Sequence, residues 1–178
     1  MSTPLPDDLN ERLRSLYDEM LWLAGRPGIT PSMARAWYTH IVSNRLARQI
    51  RFFTGEVSRS ALADPRQRLT LEHFKRLQTR LTALVEGDLA GPRDAEAFIR
   101  VLRDLEQVRI TTLSENYAAM KANGDYDVAG IDLVQWDEIP EDVRRVLWER
   151  VLNGKVMNYE AYAVPGARSR SGRQNTGA

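Results

Sequence analysis

The segment FIRVLRDLEQVRITTLSENYAAM, residues 98–120, decides which fold class the sequence predicts. Its first half has apolar residues three and four positions apart, which is the spacing of one face of an α-helix. These residues are Phe98, Val101, Leu102, Leu105 and Val108. The β-branched run 110–112 weakens this pattern locally, because branching at Cβ restricts χ1 in a helix. The period can still continue to Tyr117 and Met120, so the whole segment favours one long helix.

The same period recurs on both sides of this segment. Leucine and methionine residues at this spacing predict a first helix over 9–23, and further helices begin near residues 30 and 71 and after Pro140. Short connections favour antiparallel neighbours. We therefore predict an all-α bundle of five to six helices, with one irregular segment near 123–139 and a disordered C-terminal tail.

The predicted domain organisation follows from composition along the chain. Residues 1–162 form a single helical domain, with a possible sub-boundary at the glycine-rich connection near 87–92. Residues 163–178 are small, polar and basic, which predicts a disordered tail.

The bulk composition excludes several chemistries. The 178 residues include no cysteine, which removes disulfides, thiolate metal ligands and a cysteine nucleophile. No apolar run is long enough for a membrane span, and the N-terminus does not resemble a secretory signal, so we expect a cytoplasmic protein. We expect no cofactor, and a homo-oligomer is possible.

The segment NGDYDVAGID, residues 123–132, places Asn123, Asp125 and Asp127 at alternate positions, as in a calcium-binding loop. Such a loop also needs glycine at its sixth position and glutamate at its twelfth, where this chain has Val128 and Val134. We therefore predict no metal site. The segment instead favours a helix end followed by a solvated turn.

The pair Arg35 and His40 has the Arg-x4–6-His spacing and resembles the HEPN-type ribonucleases. The resemblance implies a helical domain in which these two side chains act on the scissile phosphate. His73 matches the same spacing from two further arginines, Arg66 and Arg68. The alternative is that His40 is a boundary residue of an amphipathic helix.

A second short pattern, Thr111-x3-Glu115-Asn116, resembles the inhibitory helix of antitoxins that block Fic-domain AMP-transferases. In that family the glutamate occupies the place of the nucleotide's terminal phosphate. The resemblance implies a protein partner of that type. The alternative is a polar helix face.

Arginine is concentrated in residues 35–80, which hold ten Lys/Arg and three acidic residues. The predicted nucleic-acid-binding side chains are spaced along two helices, and Phe52 or Phe53 could stack on a base. They are Arg45, Arg48, Arg51, Arg76 and Arg80. The same basic region could instead pack against the acidic residues of 81–162.

The irregular segment supplies the predicted docking surface for a protein partner. Its candidate residues combine acidic and apolar side chains, and an apolar plug that seals the bundle is the alternative for Trp136. The candidates are Asp125, Tyr126, Asp127, Trp136 and Ile139. By elimination of catalytic motifs, the leading hypothesis is a non-catalytic interaction or regulatory protein of a bacterial cytoplasm. A nucleic-acid-binding accessory protein comes second, and the ribonuclease third.

Overall fold

The protein is a mixed α/β structure, and the prediction of an all-α bundle is wrong. The structure, a computed structural model, describes residues 6–37, 46–75 and 77–167. Within these ranges helices alternate with strands, and the strands form a four-stranded sheet.

The elements are numbered in chain order. The strands are β1 (Phe52–Ser58), β2 (Leu69–Glu72), β3 (Gln107–Thr112) and β4 (Leu133–Gln135). The helices are α1 (Asp7–Ala24), α2 (from residue 31, described as far as residue 37), α3 (Ala47–Ile50), α4 (Arg59–Ala63), α5 (Leu77–Ala90), α6 (Ala95–Leu105), α7 (Leu113–Lys121), α8 (Tyr126–Ala129) and α9 (Glu141–Leu147). Shorter helical turns are Trp136–Glu138, Trp148–Leu152 and Tyr159–Tyr162.

The sheet has the strand order β2-β3-β1-β4. The central strands β1 and β3 are parallel, and the edge strands β2 and β4 run antiparallel to their neighbours. A parallel pair needs a long crossover connection. Here that connection runs from residue 59 to residue 106.

The strand β3 occupies the part of the 98–120 segment that was predicted as helix. Burial alternates from Gln107 to Ile110, where Val108 and Ile110 are buried and the other two residues are partly exposed, so it follows a period of two rather than 3.6. The last two residues of the strand are both buried. The β-branched run after Arg109 fits a pleated surface better than a helix. The helix therefore ends at Leu105, and a new one begins after Thr112.

The strand β1 lies in a part of the chain where the sequence predicts helices and no strand. Phe53 and Val57 are fully buried, and the intervening Gly55 has a φ of 88°. Pairing with β3 shifts in register between Phe53 and Val57, which marks a bulge. A Cβ atom at Gly55 would lie 3.2 Å from the Tyr162 hydroxyl oxygen, so glycine suits both the backbone and the space.

Two further predicted elements are also corrected. The third helix was predicted from Leu71, but Leu71 lies in β2 and the helix begins at Leu77. The segment predicted as irregular, 123–139, contains α8, β4 and a 3₁₀ turn. Both errors have the same physical reason, because elements of three or four residues are too short to display a clear period.

The chain divides into two compact units, and each is discontinuous in sequence. Unit 1 comprises residues 1–46 and 76–105, and unit 2 comprises residues 47–75 and 106–178. The connection near 87–92, predicted as a possible sub-boundary, lies inside unit 1.

Unit 1 is helical in its described part, and α1 packs there against α5 and α6. The ring centroids of Tyr17 in α1 and Phe98 in α6 lie 5.0 Å apart. The Tyr17 hydroxyl donates to Asp88 at 2.7 Å and accepts from the Asp94 N–H at 3.0 Å. Burial, followed by the carboxylate of Asp88, raises the pKa of Tyr17 to about 12.

Unit 2 packs one face of the sheet on a hydrophobic core, to which the C-terminal segments contribute Trp148, Val156 and Val164. The side chain of Asn158 holds the β1 bulge, since it accepts from the Phe53 N–H at 3.0 Å and donates to the Phe53 C=O at 2.9 Å. The described chain continues to residue 167. The remaining residues of the predicted tail, 168–178, lie outside the described residues.

Candidate functional sites

An ionic row crosses the polar face of the unit 2 sheet. Register places Glu72 opposite Arg109, and the neighbouring strand β1 places Glu56 on the other side of the same arginine. Arg109 Nε donates to Glu56 Oε2 at 2.8 Å, and the Thr54 hydroxyl donates to the same oxygen at 3.1 Å. The row therefore joins three adjacent strands through their side chains.

Two aromatic rings enclose the arginine of this row. The Arg109 guanidinium carbon lies 3.9 Å from the Phe74 ring centroid and 4.7 Å from that of Tyr126. The Tyr126 hydroxyl donates a short hydrogen bond to Glu72. Burial and then Glu72 raise the pKa of Tyr126 well above its ordinary value. Because its charges and hydroxyls already bond to one another, this cluster stabilises the sheet rather than presenting a reactive group.

Glu115 is the third residue of α7 and forms a capping box with Thr112. Its carboxylate accepts from the Ser58 hydroxyl at 2.6 Å and from the Thr112 N–H at 2.9 Å. Burial alone would raise the pKa of Glu115, but hydrogen bonds from Ser58, Thr112 and Ser60 lower it below its ordinary value. Thr111 lies in β3 rather than on a helix, so the arrangement implied by the antitoxin resemblance is absent at this position.

A second charged cluster lies where β1 begins. The Glu106 side chain is only 4% exposed, and its Oε2 lies 3.0 Å from His73 Nε2. Arg51 Nε lies 3.4 Å from the same oxygen, without the alignment of a hydrogen bond. The buried Glu106 carboxylate is thus close to a guanidinium and an imidazole, whose side chains are 20% and 27% exposed.

The predicted nucleic-acid-binding arginines that the structure describes lie in three different parts of the chain. Arg48 is exposed on α3, whereas Arg51 follows the end of that helix and pairs with Glu106. Arg80 belongs to α5 of unit 1, where its Nη1 lies 3.5 Å from Asp104 Oδ2. Arg45 and Arg76 lie outside the described residues.

The predicted docking residues divide by burial. Asp125 and Asp127 are exposed, and the Asp125 carboxylate caps α8 by accepting from the Val128 N–H at 3.0 Å. The apolar candidates Tyr126, Trp136 and Ile139 are at most 8% exposed and lie in the hydrophobic clusters of unit 2.

Sequence reasoning missed the exposed large apolar side chains of unit 1. Trp22 of α1 is 60% exposed, and Met33 and Trp37 of α2 are 52% and 50% exposed. Met33 and Trp37 are four positions apart, so they lie on the same side of the helix. Ala34 and Trp37 are three positions apart, which is the spacing of one helix face, but only Ala34 is buried. Trp22 lies outside the periodic apolar face of α1 in the sequence, and this position indicates an exposed side chain.

The remaining predicted chemistry concerns the ribonuclease pair and metals. Arg35 is half-buried on α2, while His40 lies outside the described residues, so the pair has no described geometry. Among the residues that the structure describes, no group of three or more acidic or histidine side chains is placed to hold a metal ion. No helix in the described ranges has the length and apolar character needed to cross a membrane.

Comparisons of the chain with protein-family models, with curated proteins and with solved structures find no match.

Proposed function

We propose that this protein is a non-catalytic interaction protein of the cytoplasm, which binds a protein partner through α1 and α2 of unit 1. The observation that carries the proposal is the exposure of Trp22, Met33 and Trp37. Tryptophan is the residue most enriched among interface residues that dominate binding energy. A cytoplasmic setting agrees with a chain that contains no cysteine.

The surroundings of Trp22 indicate the chemistry of the partner. Asp18 and Glu19 are exposed and lie one helical turn before Trp22, so carboxylates border the ring. On the other side, the Arg26 guanidinium carbon lies 3.9 Å from the Trp22 ring centroid. This cation–π contact fixes the ring at the surface. A complementary partner would offer an apolar pocket with basic groups on the rim that faces α1.

Alanine variants of the two tryptophans test this proposal. Quantitative affinity purification from cells of the source organism would identify proteins retained by the wild type, and calorimetry with each purified candidate would give its Kd. We expect Trp22→Ala and Trp37→Ala each to weaken binding by roughly 30-fold, the effect of losing about 2 kcal/mol at an interface.

The matched control is Tyr117→Ala, which removes an aromatic ring of similar exposure, 53%, from unit 2. Its partner affinity should equal that of the wild type. The proposal fails if both tryptophan variants, shown by circular dichroism to be folded, bind every partner with unchanged affinity. Loss of self-association in the same variants would identify a second copy of this chain as the partner.

A further inference from the structure

A groove between α5 and α6 opens at the surface of unit 1. Both helices belong to this unit, and the short connection between them, 91–94, favours antiparallel packing. The volume of the groove is about 630 Å³, which lies within the range of small-molecule sites in proteins. Its lining consists of Arg80, Ala83, Leu84, Arg100, Val101 and Asp104.

The groove has an apolar floor that is distinct from the core of unit 1. Leu81 and Val85 of α5 and Phe98 of α6 are buried, and none of them lines the groove. The lining residues of each helix are one, three or four positions apart, so each set forms one helix face. On that face Leu84 and Val101 are only partly exposed. The floor can therefore bury part of an apolar ligand.

Two arginines border this floor, and their ion pairs are loose. Arg80 Nη1 lies 3.5 Å from Asp104 Oδ2, and Arg100 Nη2 lies 3.8 Å from Asp94 Oδ2, with the two arginine side chains 59% and 70% exposed. Asp94 also caps α6 by accepting from the Ala97 N–H at 2.8 Å. Exposed pairs of this kind contribute little to stability. With respect to the described residues, most N–H donors of the Arg100 guanidinium therefore have no protein acceptor.

We propose that the α5–α6 groove binds a small organic anion with one carboxylate and an unbranched apolar body. Arg100 binds the carboxylate, because the planar guanidinium fork matches two carboxylate oxygens. The apolar body lies along Leu84 and Val101. A cationic ligand fits less well, since Arg80 already pairs with the carboxylate of Asp104. This inference goes beyond the partner binding proposed for α1 and α2 and rests on separate residues.

Decanoate, a carboxylate with an unbranched chain, is the probe that tests this inference. It is added to the isotope-labelled full-length protein, and amide chemical shifts are followed by NMR. The shifts should saturate and should lie in α5 and α6, with a Kd of roughly 0.1–1 mM for a ligand of about twelve non-hydrogen atoms. Octanoate has two methylenes fewer and should bind up to about 15-fold more weakly. Decylammonium, with the same chain length and the opposite charge, should not bind.

Ala83→Phe is the decisive variant because it fills the groove and leaves every charge in place. Ala83 is exposed, so the ring is accommodated without disturbing the core, and decanoate binding should weaken by at least roughly 10-fold. Arg100→Gln removes the proposed carboxylate ligand and should also weaken binding by roughly 10-fold. Arg80→Gln would release Asp104 as well, so the first two variants carry the test. Circular dichroism should confirm that both are folded.

Matched controls separate the groove from general charge and apolar surface. Ala90→Phe adds the same ring at the exposed last residue of α5, and Arg93→Gln removes an exposed arginine of the connection; neither residue lines the groove. Both variants, and Trp22→Ala, should bind decanoate like the wild type.

Several results would overturn the inference. They are the absence of saturable decanoate binding below about 5 mM, equal binding of decylammonium, shifts confined to unit 2, and unchanged affinity in folded Ala83→Phe or Arg100→Gln. None of these results bears on partner binding, because the decanoate variants leave Trp22, Met33 and Trp37 in place.

Discussion

Replacement of Asn158 by alanine should strongly destabilise unit 2. The Asn158 amide makes both hydrogen bonds that a neighbouring strand would otherwise make to Phe53, at 3.0 and 2.9 Å. Phe53 is fully buried at the β1 bulge, so water does not replace these bonds easily. Tyr162 is a second donor to the Phe53 carbonyl, at 3.3 Å, whereas the Phe53 N–H would lose its acceptor.

The expected loss follows from these contacts. Two hydrogen bonds contribute about 1 kcal/mol each, and a buried donor left without an acceptor costs about 1–3 kcal/mol. Because Tyr162 still serves the carbonyl, we expect a total loss of about 2–4 kcal/mol in the free energy of unfolding. For a protein of this size the midpoint of thermal unfolding should fall by roughly 4–16 °C.

Urea unfolding monitored by tryptophan fluorescence measures this loss. The buried Trp136 and Trp148 report on unit 2, and the exposed Trp22 and Trp37 contribute little change. Asn158→Asp is the informative second variant. It keeps an acceptor for the Phe53 N–H but sets a carboxylate against the Phe53 carbonyl, so its loss at neutral pH should at least equal that of the alanine variant. A loss below about 0.5 kcal/mol for Asn158→Ala would refute the proposed role of this side chain.

Three further substitutions test other contacts in unit 2. Glu115→Gln should lose about 1–2 kcal/mol at neutral pH. Because the folded-state pKa of Glu115 is lowered, its contribution is complete above the unfolded value and disappears as the pH falls through the folded value, so the variant should lose less stability than the wild type during acid titration. Tyr126→Phe should cost about 1–3 kcal/mol in urea unfolding, since it deprives buried Glu72 of one donor. Gly55→Ala should lower the thermal midpoint, since a left-handed φ costs alanine about 1–2 kcal/mol.

The first helix and the turn after α7 are predictable from the sequence for identifiable reasons. The stripe that runs from Leu9 to Met20 is buried along α1, whose polar residues keep the other face in water. The predicted turn at Asn123–Gly124 is present, because both residues adopt positive φ directly after α7. In both places local chemistry alone determines the conformation.

The sheet was not predictable from the same kind of local signal. The central strands β1 and β3 are separated by 48 residues, so no hairpin turn marks their pairing. Apolar residues of β3 also continue the helical spacing of α6 for one more turn, which hides the change of period at Glu106. An apolar period of two identifies a strand only when the neighbouring strands are known, and tertiary structure determines which strands are neighbours.

The ionic row was hidden for the same reason. Glu56, Glu72 and Arg109 become neighbours only through strand register. The exposed Trp37 shows a different difficulty, since a periodic pattern identifies a helix but not which neighbouring elements cover its faces.

Charge in this protein becomes informative only after the partners of each group are known. Arg109 is enclosed by two carboxylate-bearing strands and two aromatic rings, so it contributes to the sheet and offers nothing to a ligand. Arg51 also faces a buried carboxylate, that of Glu106, but it shares that carboxylate with His73. Counting arginines along the sequence treats both residues alike. The structure separates them by what surrounds each guanidinium: a carboxylate and two aromatic rings around Arg109, and a buried carboxylate shared with an imidazole beside Arg51.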